Sequence, residues 1–481
     1  MKQKSIKKNF VYNLFLTFAN MLFPLVTAPY LSEILGAFGI GRVNYATAII
    51  SWFMLVAAFG IPRFAVREIA KVRDDREKTS SLFWNLVFIQ SISTFILLAI
   101  YIVVVFSVPS FYDDIFLYLA MAIMLVFNAL NIDWFYQGIE EYGYIAIRNI
   151  TVKFISVLAI FIVITNPEDY VWLAIINILM VVTNSIINFM HSFKYVNKRA
   201  EKLMPFYYLK QLKVFFYISI VVALYTQIDQ IFLGMIDSVD LAFYVRSRTI
   251  LNVGLALTTA LITVISPRAA YLTKNDRESY KLLVQKSINY IYLLGIPISV
   301  AIFLFAEQTM YILGGSEFAE ASLGLQIMAP LSLIITLGSW ISSQILIPNG
   351  LERISFRIQC VAVVISLSLN IILIPHFSFI GATVTWLVVE TFLFIVKAIY
   401  AKLKCPDIKI AYWSKSLVQF LVATFLMVLP LLIIENFVGS KWLQLVIAAI
   451  IGIAIYFSTL VILREKHVLS MLGGIRSKLS R

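Results

Sequence analysis

The chain has 481 residues, of which 61% are hydrophobic and 14% charged, with a net charge of +13 and a mean hydropathy of +0.89. Soluble domains carry about 25% charged and roughly 45–50% apolar residues, so the composition excludes a water-soluble enzyme, a disordered chain and a secreted disulfide scaffold. Fourteen spanning helices of about 20 residues each use roughly 280 residues and leave loops but no room for a soluble catalytic domain.

Lys2, Lys4, Lys7 and Lys8 precede an apolar run that continues to about Leu35 without a small-x-small cleavage site. That run reads as an uncleaved first span. Further apolar windows place spans at about 41–62, 82–107, 115–137, 145–165, 170–191, 212–236, 242–266, 286–306, 322–347, 354–375, 378–401, 413–435 and 441–463. The N-terminus, the segments 63–78, 148–153, 194–213, 268–286, 353–357 and 397–415, and the C-terminal tail hold 35 of the 39 Lys and Arg residues. By the positive-inside rule this predicts both termini, and Cys405 with its loop, in the cytoplasm. It also argues against nucleic acid as a partner, because the basic residues sit in short loops between spans. Asp113, Asp114, Glu168, Asp169, Glu317 and Glu320 make the opposite loops acidic.

A weak repeat runs through the chain. Arg73-Asp74-Asp75-Arg76-Glu77 matches Lys274-Asn275-Asp276-Arg277-Glu278, and Gln137-Gly138-Ile139-Glu140 matches Asn349-Gly350-Leu351-Glu352. Pro62-Arg63 and Pro267-Arg268 are expected to close the second and eighth spans. The shared order predicts two six-helix lobes of the same orientation, 1–200 and 201–405, with helices 13–14 and the tail in 406–481.

Polar side chains are costly in lipid and face other helices or a wet cavity. Asn13, Thr17, Asn20, Pro24 and Thr27 recur at helical spacing on span 1, and Asn177, Asn184, Asn188 and His191 on span 6. Span 2 offers Asn44, Thr47 and Ser51; span 8 offers Arg248, Asn252, Thr259 and Thr263; span 10 offers Ser332, Thr336, Ser339 and Ser343. Continuous stripes on five helices suit a central cavity for a hydroxyl-rich ligand, with helix–helix hydrogen bonding as the plainer alternative. Spans 13 and 14 lack such a stripe, which places them at the periphery.

Arg148 and Lys153 lie with Asn149 and Ser156 on span 5. Arg246 and Arg248 point about 200° apart on a helix, so Arg248 joins its stripe while Arg246 is expected to reach the outer headgroups. A guanidinium suits phosphate through bidentate hydrogen bonds; Arg248 could instead pair with Asp229 or Asp240. Asp229, Glu33, Asp133 and Glu390 are the candidates for binding a coupling ion, with neutralisation of a cavity arginine as the other role for Asp229. Cys360 and Cys405 are too far apart for a metal motif, no nucleotide or zinc-protease motif occurs, and no cofactor is expected.

The run Ala28-Pro29-Tyr30-Leu31-Ser32-Glu33-Ile34-Leu35-Gly36, with Val66-Arg67-Glu68-Ile69-Ala70, resembles the opening of bacterial polysaccharide flippases. So do Asp133-Trp134-Phe135-Tyr136-Gln137-Gly138-Ile139-Glu140, Ile228-Asp229-Gln230-Ile231-Phe232-Leu233-Gly234 and Gln344-Ile345-Leu346-Ile347-Pro348. The resemblance covers residues 10–400 and is to the Wzx-type branch of the multidrug/oligosaccharidyl-lipid/polysaccharide (MOP) exporter superfamily. It implies an all-α polytopic bundle of about 14 transmembrane helices, two lobes in a V shaped like the MATE exporters, with two added C-terminal helices. It further implies an alternating-access flippase for polyprenyl-pyrophosphate-linked oligosaccharides, driven by an ion gradient or the membrane potential. Binding would fall to Arg248, Asn252, Asn13, Thr17, Asn20, Asn44, Arg148, Lys153, Asn184 and Asn188. Membrane lipids and a glycan polymerase or ligase are the expected partners. A teichoic acid or capsule precursor is the expected cargo, and a Gram-positive cell membrane the expected location. Span 1 lacks the arginines of lipid II flippases, which disfavours a peptidoglycan precursor. The alternatives are a cation-coupled multidrug exporter of the same superfamily, which would need an acidic, aromatic cavity, and a membrane glycan polymerase, which would need a large outer loop.

Overall fold

A computed structural model describes residues 6–197 and 204–470, with side chains described throughout except at 6–11, 13, 14 and 435–437. Every regular element among the described residues is helical. Among the described residues, twelve helical stretches are long and apolar enough to cross a membrane, and two of them are double. α1 (Ile6–Ala57) has 52 residues, about 78 Å if straight, against a hydrocarbon core of about 30 Å.

The neighbours of α1 show that it turns back. Its first half follows α6 (Tyr142–Val163): Lys153 Nζ donates to Asn20 Oδ1 at 2.7 Å, and Tyr30 Oη to the Ile164 carbonyl at 2.7 Å. Its second half follows α4 (Ile115–Asn128), which runs the other way: Arg42 Nε lies 2.8 Å from Asp114, and Asn128 Nδ2 donates to the Met54 carbonyl at 3.1 Å. The reversal falls at Gly36, whose φ of 64° suits a residue without Cβ. α14 (Glu352–Lys404) reverses at Ser378, φ 46°. A Cβ on Gly381 would lie 2.4 Å from the Leu373 carbonyl oxygen, whereas eight residues of straight helix span about 12 Å. Counting both hairpins gives fourteen crossings, as expected.

The chain divides into two compact units, Met1–Ala242 and Phe243–Arg481. In unit 1, α2 (Ile61–Val72) is amphipathic. Ile61, Phe64, Ala65 and Ile69 are fully buried, and Arg63, Arg67 and Lys71 are exposed on the opposite face. The buried face packs on α3 (Arg76–Ser107) and the short α5 (Asp133–Gly138) in a core rich in aromatics, among them Phe83, Trp134, Phe135 and Tyr136. α7 (Tyr170–Ser192) and α8 (Pro205–Ile236) complete the unit, and α9 (Ser238–Asn275) begins in it.

Unit 2 holds the rest of α9, then α10 (Arg277–Leu304), α11 (Ala306–Gly314), α12 (Ala321–Met328), α13 (Leu331–Trp340) and α14. α15 (Lys415–Phe437) and α16 (Lys441–Ile462) follow, pair with one another and pack on α10 and α11. Tyr456 Oη donates to the Leu293 carbonyl at 2.8 Å, while Leu421, Phe425, Ile450 and Ile453 stay exposed, as on a lipid-facing surface.

The repeat has a physical basis in helix caps. Asp75 accepts from the backbone N–H groups of Glu77 and Lys78 at 3.1 Å, and Asp276 from that of Ser279 at 3.0 Å, so each starts the helix that follows. The second match shifts by two residues. Glu140 (φ 60°) and Gly350 (φ 75°) are the left-handed residues of identical turns. In these turns Glu140 and Glu141 donate to Gln137 and Tyr136, as Gly350 and Leu351 donate to Ile347 and Leu346. Glu140 therefore corresponds to Gly350, not Gly138 to Gly350. The prolines also diverge. Gly60 (φ 74°) breaks the chain before Pro62, whereas no glycine precedes Pro267, and α9 runs on through it to Asn275.

Candidate functional site

In unit 1 the predicted residues gather where α5, α6 and α7 meet. Asp133 opens α5, and its Oδ1 accepts from Arg148 Nη2 at 2.9 Å and from Asn188 Nδ2 at 2.5 Å. Arg148 Nη2 also reaches Asn149 Oδ1 at 2.8 Å. The Arg148 side chain is 4% exposed and that of Asp133 35%, so a buried cation is met by a carboxylate still in contact with solvent. The guanidinium stands 5.7 Å over the Tyr144 ring, which stacks on His191 at 4.0 Å. His191 Nδ1 lies 3.2 Å from Tyr136 Oη, and Tyr136 donates to the Asn188 carbonyl at 2.7 Å. Arg148, Asn188 and Asp133, expected separately as ligand and ion-coupling residues, thus form one network.

Lys153 and Asn20 form a second pair through their 2.7 Å hydrogen bond. Both Lys153 and Arg148 lie inside α6 and are not loop residues. Asn184 turns back to the Met180 carbonyl of its own helix at 2.8 Å. Thr17 and Asn44 are half-buried on the two arms of α1, and the side chain of Asn13 lies outside the described residues. The acids are dispersed. Glu33 is exposed near the Gly36 reversal, Asp133 sits at the opposite end of the unit, and Asp229 is buried in α8 with Oδ1 accepting from the Gln230 N–H at 2.8 Å. Among the described residues, no three His, Cys, Asp or Glu side chains converge as a metal site would need.

In unit 2 the two arginines of α9 face different neighbours, as the helical phase requires. Arg248 stands over the Trp386 ring at 4.6 Å, a cation–π geometry. Trp386, Glu390 and Lys397 follow one another on one face of the second arm of α14, and Glu390 interacts electrostatically with both Lys397 and Arg248. Arg246 does not reach the headgroups. It is 8% exposed, its Nη1 donates to the Leu313 carbonyl at 2.7 Å, and it covers the Phe318 ring at 4.8 Å. The carbonyl ending α11 captures a side chain that sequence alone sent to the membrane surface.

Asn252 and Thr263 are exposed, and Thr259 bonds to the Leu255 carbonyl at 2.6 Å. The span-10 stripe is largely helix–helix hydrogen bonding: Thr336 meets Thr258 at 2.6 Å, and Ser332 meets Ser299 at 2.5 Å. The residue that pattern reading missed is Lys397, grouped with the 397–415 loop but buried within α14. Its seven-residue spacing from Glu390, two helical turns, was the available signal.

The loops at the basic end carry ordinary surface electrostatics. Glu140 holds the Arg73 guanidinium above its usual value through a hydrogen bond. Arg277, 2.7 Å away, holds Asp407 below the usual carboxylate range.

Fourteen apolar crossings in two units among the described residues, with buried charge in each, define a polytopic all-helical membrane protein. The family model for "Polysaccharide biosynthesis protein" matches residues 6–273, and that for MatE matches residues 215–375. The chain belongs to the polysaccharide biosynthesis protein family, within the Wzx-type branch of the MOP superfamily. Two relatives are both named "Putative O-antigen transporter". The one from Escherichia coli K12 is 24% identical over 80% of this chain and 94% of its own length, and the one from Shigella dysenteriae is 25% identical over 82% and 100%. The solved lipid II flippase MurJ, in an inward closed conformation, shares the fold with a TM-score of 0.74 at 14% identity, covering 95% of this chain and 99% of that one.

Proposed function

We propose that the protein is a flippase that moves a polyprenyl-pyrophosphate-linked oligosaccharide from the inner to the outer leaflet, without chemical conversion. The observation that carries this reading is the pairing of two surfaces within unit 2. One is the charged face of Arg248, Glu390 and Lys397. The other is an apolar groove of about 480 Å³ lined by residues such as Leu293, Pro297, Met427, Leu431, Ala449 and Tyr456 of α10, α15 and α16. An amphiphile with an anionic head and a prenyl tail needs both kinds of surface. Arginine suits the pyrophosphate through paired charge-assisted hydrogen bonds, the asparagines suit sugar hydroxyls, and the groove suits isoprenoid units.

The cargo is a teichoic acid or capsule repeat-unit precursor, handed on to a glycan polymerase or ligase at the outer face. Transport proceeds by alternating access, driven by an ion gradient or the membrane potential. Both termini face the cytoplasm of a Gram-positive cell. Relatives named as O-antigen transporters support the class of cargo. The test is depletion of the protein followed by mass spectrometry of extracted lipids. Accumulation of one prenyl-pyrophosphate glycan, inaccessible from outside the cell, is expected. An unchanged lipid-linked pool, or one accessible from outside, would refute the proposal.

A further inference from the structure

α13 is followed by a π-helical turn, Ile341–Leu346, a geometry that occurs mostly as single turns and frequently at functional sites. Buried polar atoms without hydrogen-bond partners among the described residues concentrate there: Ser343 Oγ, both amide atoms of Gln344, and Trp340 Nε1 just before it. Trp340 and Gln344 are 0% exposed. The turn is pinned, because Tyr280 Oη donates to the Gln344 carbonyl at 2.7 Å. Such groups are rare in native interiors and each calls for an explanation.

The facing helix supplies a charge at the same level. The π-turn packs on α14. Gly338 sits against Phe394, and Ile345 and Leu346 share a core cluster with Ala401. α13 and the second arm of α14 run the same way, because the first arm reverses between them, so Lys397, three residues past Phe394, lies near the start of the turn, three residues past Gly338. Lys397 is 7% exposed and has no hydrogen bond or ion pair among the described residues. Its electrostatic neighbour is Glu390, two turns along the helix, which also feels Arg248.

The unpartnered groups are mostly donors. An ammonium carries three N–H donors, the glutamine amide two, and serine and indole one each, against the glutamine carbonyl and the serine oxygen as neutral acceptors. An intramembrane ammonium repels cations and needs an anion nearby. Lys397 brings a single ammonium charge, with Glu390 two turns away, which matches a monovalent anion and disfavours a multiply charged one. We propose that the π-turn of α13 and Lys397 of α14 form a binding site for a small monovalent anion of the halide type. The site shares Lys397 with the charged face that the proposed function gives to the cargo, and the phosphate and prenyl pyrophosphate arms of the test separate the two.

The test uses purified full-length protein in detergent with gluconate as the starting anion. Sodium chloride or bromide replaces it at constant ionic strength while the melting temperature is followed. A saturable, halide-specific rise is expected. Lys397→Met should raise the half-saturating concentration on the order of thirtyfold or more, as removal of a buried charge partner does, and Gln344→Leu on the order of tenfold, as loss of a neutral donor to an ion does. Lys397→Arg should keep the response, and Glu390→Gln should lower the half-saturating concentration. If Lys397→Met fails to fold, Ser343→Ala is read instead, with a smaller loss expected. No saturable halide response, or one unchanged in these variants, would overturn the site. So would saturation by inorganic phosphate or a prenyl pyrophosphate below the halide range, which would assign these residues to the cargo.

Discussion

Removing Asp133 should expose the cost of the Arg148 charge. Arg148 is held at 4% side-chain exposure, with Asp133 as its only ion-pair partner among the described residues. Breaking a buried pair from one side costs about 3–5 kcal/mol, because the remaining charge stays desolvated. Asp133 is 35% exposed, so water screens part of the interaction, and about 2–3 kcal/mol is expected for Asp133→Ala. Adding Arg148→Met should recover much of that loss, since methionine fills the stem volume and leaves no charge; the residual cost comes from Asn188 and Asn149, which lose partners. Thermal unfolding of the purified protein with a thiol-reactive fluorophore suits the measurement, because Cys405 is 3% exposed and reacts on unfolding. The expected order of stability is wild type, then the double variant, then Asp133→Ala. A double variant no more stable than Asp133→Ala, or a neutral Asp133→Ala, would refute the view of this network as a buried charge met by one carboxylate.

Arg248→Ala should abolish cargo transport with the fold retained, and Arg248→Lys should be impaired despite its charge, since lysine cannot reproduce the planar bidentate contact. Arg246→Ala should instead lower thermal stability by about 1–3 kcal/mol, because the buried Leu313 carbonyl loses its charged donor. Cys405 is too buried to report topology. In a variant with both native cysteines replaced, exposed Lys404→Cys should react with an impermeant maleimide only after the membrane is opened; labelling in intact cells would reverse the orientation. Asp75 and Asp276 are held below the usual carboxylate range, Asp75 by the Lys78 backbone N–H first and Asp276 by Ser279. Their folded values lie below the unfolded ones, so both caps act fully above the usual carboxylate pKa and fade as pH falls through the lowered values. Asp75→Asn and Asp276→Asn should therefore flatten the acid limb of a stability–pH curve, and unchanged curves would count against the caps.

Membrane class, the fourteen crossings, the family and the Asp75/Asp276 repeat were legible in the sequence. Each is a one-dimensional signal: a run of apolar residues long enough for the bilayer, a bias of Lys and Arg to alternate loops, an aspartate before a helix start. The helical phase separating Arg246 from Arg248 was legible for the same reason, because 3.6 residues per turn fixes the angle between neighbours on one helix. Tertiary structure decided which groups those residues meet. The stripe reading could not foresee that Arg148, Asp133 and Asn188 meet, because they lie on three helices and their contact depends on the turn at Glu140. Nor could it place Arg246 on the end of α11, or separate Ser332 and Thr336, bonded to neighbouring helices, from residues that stay open. Lys397 fell both in the last turns of the 378–401 span and at the start of the basic 397–415 segment, because hydropathy fixes the end of a span only to within a few residues. Packing carries α14 on to Lys404 and buries Lys397, since whether a charge in a helix is solvated depends on the helices around it.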